Sequence, residues 1–250
     1  MPLFRTAPKA HGRRFVIMGL PRSGTTYLMT LLNAHRQVYC SGEQFNPYAV
    51  VDIADRDNTV ETIGTRDGDP AGHVERFFDK ALAGRHDRVG FKFMLGHNVD
   101  ALESILEDRD LTLLYVHRDN KLAQVSSWIK AAKTRNWAQN RVDEHVSRKI
   151  DAGPRKISQH WHDYATMDRL FAHLFDTLPH HKMQVEYRTM FAPGFNDRLC
   201  DFMGIKRDGG MKSPLVKQGS NDILERFEDP EPIRKYFTRI GRADWLEPEL

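Results

Sequence analysis

Long apolar runs are missing from this sequence. Nothing approaches the roughly 18 consecutive apolar residues that a membrane-crossing helix requires. The opening MPLFRTAPKAHGRR has no apolar stretch of the kind that marks a secretory leader. Cysteine is scarce: Cys40 and Cys200 stand far apart, which argues against a disulfide-stapled scaffold and suits reduced thiols. Repeats and low-complexity tracts are absent. A large charge excess is absent too, since 37 Lys and Arg face 34 Asp and Glu for a net charge of +3. That balance tolerates an anionic ligand without implying a nucleic-acid partner. The expectation is a cytoplasmic chain without a membrane span, of undefined oligomeric state.

What is present is an ordinary globular composition. In 250 residues, 40% are hydrophobic and 28% charged, enough to bury one core, and residues 1–250 read as a single domain. Short apolar strands are expected at Phe15–Met18, Val89–Met94, Leu111–Val116 and Met183–Tyr187. Helices are expected near Thr25–Ala34, Val74–Leu82, Val99–Leu106, Ala123–Lys133 and Ile157–Leu178. Strands without polar alternation are buried on both faces. Alternating with helices, they imply an α/β fold of three layers, α/β/α, around a central parallel sheet. Right-handed crossovers then bring every strand-to-helix loop to the carboxyl edge. Residues 46–88, rich in Asp, Arg and Gly, read as a loop and helix insertion on the substrate side.

Gly19-Leu20-Pro21-Arg22-Ser23-Gly24-Thr25-Thr26 lies between the first strand and the first helix. Unpaired amides and the positive end of a helix dipole make such a junction an anion site. Gly19, Gly24 and Thr26 keep the spacing of the nucleotide-binding P-loop, so the fold is expected to be of P-loop type. Thr25, however, stands where a kinase or NTPase needs lysine on its β- and γ-phosphates. The cation sits at Arg22 instead.

Pro21-Arg22-Ser23-Gly24-Thr25-Thr26 resembles the 5′-phosphosulfate loop of sulfotransferases that use 3′-phosphoadenosine 5′-phosphosulfate (PAPS). Leu32-Asn33-Ala34-His35 is similar to that family as well. Within it, the sequence is most similar to the bacterial carbohydrate enzymes of the Nod-factor and trehalose type. The resemblance implies that the loop amides with Ser23, Gly24, Thr25 and Thr26 hold the 5′-phosphate. Arg22 would stand at the bridging oxygen and sulfonate, and Tyr27 near the adenine.

The strand Leu111–Val116 runs into His117-Arg118-Asp119-Asn120, with Ser126 eight residues after Arg118. This resembles the family's 3′-phosphate element, and both residues reach one phosphate only if a helix starts near Lys121–Ala123. His117-Arg118-Asp119 also spells a kinase catalytic triplet, but no glycine-rich loop precedes it and no D-F-G follows. Tyr187-Arg188-Thr189-Met190 resembles a family element on the adenine side. Val216-Lys217-Gln218-Gly219 resembles the late basic loop, with Lys217 at the 3′-phosphate.

The implied reaction moves a sulfonate from PAPS, the co-substrate, to a hydroxyl of a carbohydrate or other small-molecule or glycan acceptor. A sulfonate carries less charge than a phosphoryl group, so no metal is expected and cationic side chains suffice. Glu43, in a segment that resembles the trehalose type's base-bearing G-x-x-E-x-F one residue shortened, is the expected base. Partial burial would raise its pKa. Lys92, costly inside an apolar strand, is a second catalytic candidate beside Arg22. His97 and His35 are alternative bases. His160 and His162 lack a third ligand at a metal-binding spacing. The alternatives are a non-catalytic nucleotide-binding module and an atypical P-loop kinase.

Overall fold

The computed structural model describes residues 12–134, 149–215 and 220–250. The first strand, β1 (Arg14–Gly19), is buried from Phe15 onward. It is followed by α1 (Thr25–Asn33), β2 (Val38–Glu43), and the two-residue strands β3 (Val50–Val51) and β4 (Arg56–Asp57). Next come α2 (Val60–Gly68), capped by Thr59, and α3 (Pro70–Leu82), which opens with a proline behind an Asp69 cap. Then follow β5 (Arg88–Met94), α4 (Val99–Glu107) with Asn98 as its cap, β6 (Thr112–His117) and α5 (Lys121–Thr134). The last elements are α6 (Pro154–Thr177), β7 (Lys182–Glu186), α7 (Phe195–Met203) and α8 (Glu231–Arg239).

Five strands form one sheet in the order β2-β5-β1-β6-β7, and every neighbouring pair is parallel. Side chains alternate across it with period two. Phe15 and Ile17 of β1 point to a core built with Leu28, Leu31 and Leu32 of α1 and Leu199 of α7. Val16 and Met18 point to the other face, where Phe78 of α3, Ile105 of α4 and Phe171 of α6 close over the sheet. Two helical layers therefore sandwich a parallel sheet. The carboxyl ends of the central strands β5, β1 and β6 meet at one edge. A third core joins α5, the start of α6 and α8 through Leu122, Val125, Ile157, Phe227, Phe237 and Trp245.

The expected strands and the expected fold class are present. The strand β2 was not expected: VYCSGE mixes a glycine and a charge into the run because β2 is an edge, paired with β5 alone. The helices α2, α7 and α8 were not expected either. Within 46–88, the expected helix is α3. It buries Val74 and Phe78 in the sheet core as the crossover helix on the way from β2 to β5.

Candidate active site

The loop between β1 and α1 has two residues in the left-handed region, Arg22 at φ 65° and Gly24 at φ 107°. Arg22 is the only non-glycine residue with positive φ among those described. Such strain concentrates where backbone amides are aimed at a ligand. A Cβ at Gly24 would lie 2.7 Å from both the Met190 methyl and the Tyr187 ring, so glycine is required on two counts. No side chain caps α1. Its first amides stay open at the positive end of the helix. The Ser23 hydroxyl is buried without a hydrogen-bond partner, a polar group that a bound anion would satisfy. Thr25 is buried and points its hydroxyl at the Met94 sulfur, 3.6 Å away, which leaves its backbone amide to face a ligand.

Thr26 connects the loop to the neighbouring strands. Lys92 Nζ donates to Thr26 Oγ1 at 2.7 Å and lies 2.9 Å from Glu43 Oε1. Asn46 Nδ2 donates to the other carboxylate oxygen at 2.6 Å. Lys92 and Glu43 are register partners across β5 and β2, and the pairing shifts between Ser41 and Glu43. Gly42 falls in that irregularity. A Cβ there would lie 2.8 Å from the Val51 carbonyl oxygen. The extra residue turns Glu43 toward Lys92.

Burial alone would push the Glu43 carboxyl up. Lys92, Asn46 and His97 outweigh it and hold the pKa below the usual glutamate value. The net direction is opposite to the expected rise, because the lysine that burial makes costly is also the partner that keeps the carboxylate charged. His97 is held below its ordinary pKa by burial, and its Nδ1 is buried without a partner. His35 is engaged elsewhere: one ring nitrogen meets the Lys206 carbonyl and the other accepts from the Gln37 amide. His160 lies against Trp128 and His162 against Trp161. Among the described residues no group of three His, Cys, Asp or Glu side chains is placed to hold a metal.

The loop after β6 holds the first loop from behind. Arg118 Nη1 donates to the Arg22 carbonyl at 3.2 Å, and Gln124 Nε2 donates to the Pro21 carbonyl at 3.0 Å. Asn120 caps α5 through the Ala123 amide, so the helix starts where the Arg118–Ser126 pairing requires. Arg22 reaches toward α5. Its Nε donates to Ser127 Oγ of α5 at 2.9 Å. Ser126 is fully buried and accepts from Arg226 Nη1 at 2.9 Å. Arg22 and Arg226 are both pushed down to about 10, by burial first and by the nearby Arg118 charge second. Arg118 itself sits 4.3 Å over the Tyr187 ring, and its Nε and Nη2 donate to the two carboxylate oxygens of Glu249.

Beside the start of α1 opens a cleft of about 580 Å³, lined by Tyr27, Leu31, Met190, Phe191, Met211 and Ser213 among others. The rings of Tyr27 and Phe191 stand 4.7 Å apart, and Tyr187 packs edge-on against Phe191. These faces suit a flat, apolar ring system. Lys217 lies outside the described residues.

Arg226, Glu249, Asn46 and Gln124 were not anticipated. Arg226 and Glu249 come from the last part of the chain, where no strand or motif flags them. Gln124 reads as a helix-interior residue until its carbonyl partner is known. A further arginine, Arg66 of α2, is 2% exposed and donates to the carbonyls of Gln44, Asn46 and Ala49. It fixes the turn that carries Asn46 up to Glu43.

A sulfotransferase family model matches residues 14–209, a segment that holds the phosphate loop, Glu43, Lys92, Arg118 and Tyr187. No curated protein sequence matches the chain. Among solved structures, a sulfotransferase from Alicyclobacillus acidocaldarius is 16% identical over 92% of this chain and 93% of its own, with a TM-score of 0.47. The sulfotransferase domain of the olefin synthase from Synechococcus PCC 7002 is 13% identical over 95% and 96%, with a TM-score of 0.46. A mouse sulfotransferase complexed with PAP is 11% identical over 79% and 60%, with a TM-score of 0.42. At such scores the three carry no weight of their own. The matched segment covers well over half of the chain, so the chain belongs to the sulfotransferase family.

Proposed function

We propose that this sulfotransferase takes its sulfonate from PAPS and delivers it to a hydroxyl of a sugar or other small molecule, with Glu43 as the proton acceptor. The observation that carries this reading is the chain of contacts Asn46–Glu43–Lys92–Thr26, which joins a charged carboxylate to the anion loop. In the reaction a bond forms between the acceptor oxygen and sulfur, and the bond from sulfur to the bridging phosphate oxygen breaks. The acceptor proton passes to Glu43, and the nucleotide leaves as adenosine 3′,5′-bisphosphate.

The amides at the start of α1, with Ser23 and Thr26, are assigned to the 5′-phosphate end of the donor. Lys92 is assigned to the negative charge that grows on the bridging oxygen, beside Thr26. Arg22, turned toward α5, is placed on the donor from the side of Arg118 rather than at the acceptor. Tyr27, Phe191 and the cleft beside them are assigned to the adenine. Arg118, Ser126 and Arg226 are assigned to the 3′-phosphate. Residues 46–68, which follow Glu43, are assigned to the acceptor.

Lys92 couples the two halves of the step. While it rests on Glu43 it keeps the carboxylate a weak base. As negative charge gathers on the donor, the ammonium is drawn toward it, and the carboxyl pKa rises when the proton must be taken. A metal is not called upon in this scheme, since Lys92 and the arginines supply the cationic charge.

The test is Glu43→Gln. Turnover with PAPS and a responsive acceptor is expected to fall about 10²–10⁴-fold, while calorimetric binding of adenosine 3′,5′-bisphosphate stays within a few-fold. Retention of the wild-type rate would remove Glu43 from the chemistry. Loss of bisphosphate binding in the wild-type protein would remove PAPS.

A further inference from the structure

Arg118 lies over the Tyr187 ring in a buried place, and the buried Arg22 and Arg226 are near enough to feel its charge. One carboxylate enters it, that of Glu249. Its side chain is fully buried, and it takes two of the donor directions of Arg118. A third direction is spent on the Arg22 carbonyl. Three of the five N–H donors of Arg118, its Nε–Nη2 fork among them, are therefore held by protein acceptors. The segment that delivers Glu249 is anchored one turn away, where Asn120 Nδ2 donates to the Trp245 carbonyl at 3.0 Å and Trp245 packs in the third core. Leu250, next along the chain, is 43% exposed. Glu249 lies beyond the segment that matches the family.

We propose that Glu249 is a built-in competitor for the phosphate subsite on Arg118, and that residues 247–250 leave the pocket when a phosphate enters it. This rests on the donor-site reading above. A dianionic phosphate outbids a monoanionic carboxylate for Arg118, and the exchange leaves no guanidinium unpaired at either end. A nucleotide without a 3′-phosphate has nothing to trade for Glu249 and gains nothing from Arg118. After transfer the same carboxylate retakes Arg118, which hastens release of a multiply charged product that would otherwise leave slowly. Glu249 thus sets both the requirement for the phosphate and the residence time of the product.

The experiment compares wild type, Glu249→Gln and a chain ending at residue 247. Adenosine 3′,5′-bisphosphate, adenosine 5′-monophosphate and inorganic phosphate serve as calorimetric probes. Both variants are expected to bind the bisphosphate at least about tenfold more tightly, with slower release, and the monophosphate unchanged. Equal or weaker bisphosphate binding by a folded variant overturns the proposal and makes Glu249 a support for Arg118. Tighter phosphate binding by Glu249→Gln, with no bisphosphate binding by any form, keeps the competitor and removes the PAPS reading. No gain for either probe overturns the competitor.

A second measurement leaves Glu249 in place and so does not depend on the variants folding. A fluorophore on Leu250→Cys is expected to gain mobility when bisphosphate, or failing that phosphate, saturates the protein. Unchanged anisotropy at saturation overturns the proposal.

Discussion

Two buried ion pairs flank the same phosphate loop, and they differ in how much of each is committed. Lys92 and Glu43 have side-chain exposures of 8% and 21%, meet through single atoms, and each keeps a second polar partner, Thr26 and Asn46. Arg118 and Glu249 have side-chain exposures of 6% and 0% and meet through paired donors and acceptors. The first pair can loosen by degrees, as a proton-transfer site needs. The second exchanges its partner all at once or not at all. Low exposure alone therefore does not tell the pair proposed for catalysis from the pair proposed as a competitor. What tells them apart is whether the partners meet through single atoms or through paired ones.

The contrast can be broken most forcefully on the sealed side. Arg118→Met strips the buried Glu249 carboxylate of the two hydrogen bonds and the paired charge it has there and is expected to cost about 3–5 kcal/mol in denaturant unfolding. Arg118→Met with Glu249→Leu should recover most of that, as apolar partners often replace a buried ion pair without loss. A double variant no more stable than the single one would contradict the pairing. Lys92→Met, on the open side, is expected to cost only about 1–3 kcal/mol, because Asn46 and partial solvation still serve Glu43.

The pH dependence sharpens the comparison further. The folded pKa of Glu43 lies below its unfolded value. Its contribution to stability is therefore full above the ordinary glutamate range and is lost as pH falls through the folded value. The acid limb of the turnover profile should lie at or below that range. Lys92→Met should shift the limb upward while slowing turnover. An acid limb near the ordinary histidine value, about 6.5, that vanishes in His97→Gln would transfer the role to His97.

The smallest effects fall on the backbone itself. Gly24→Ala adds a Cβ against Met190 and Tyr187 at φ 107° and is expected to cost about 1–3 kcal/mol. Ser127→Ala removes one hydrogen bond from Arg22 and should cost about 1 kcal/mol or less. Thermal melts would rank the two, and a reversed order would mean that the loop is shaped by Arg22 rather than by Gly24.

The sequence showed the centre of the molecule better than its margins. The strands β1, β5 and β6 are buried on both faces, so their residues are uniformly apolar and stand out. The phosphate loop shows because its glycines and its β1–α1 setting are local. The edge strand β2 is half polar, and the bulge at Gly42 that brings Glu43 to Lys92 shows only in the pairing. The direction of the Glu43 pKa depends on a partner 49 positions away in the chain. Arg226 and Glu249 stand 108 and 131 positions from Arg118. Such contacts leave no periodicity or spacing to read. Within residues 46–88 the helix expected at Val74–Leu82 is the greater part of α3 (Pro70–Leu82), whereas composition left α2 and the start of α3 among polar neighbours.

Arg66 is the single fully buried side chain of α2, and three carbonyls of the turn after Glu43 depend on it. Every other position on that helix is under looser packing constraint. On the function proposed above, the outer surface of α2 can change, and with it the choice of acceptor, while Arg66 keeps the turn beside Glu43 in place.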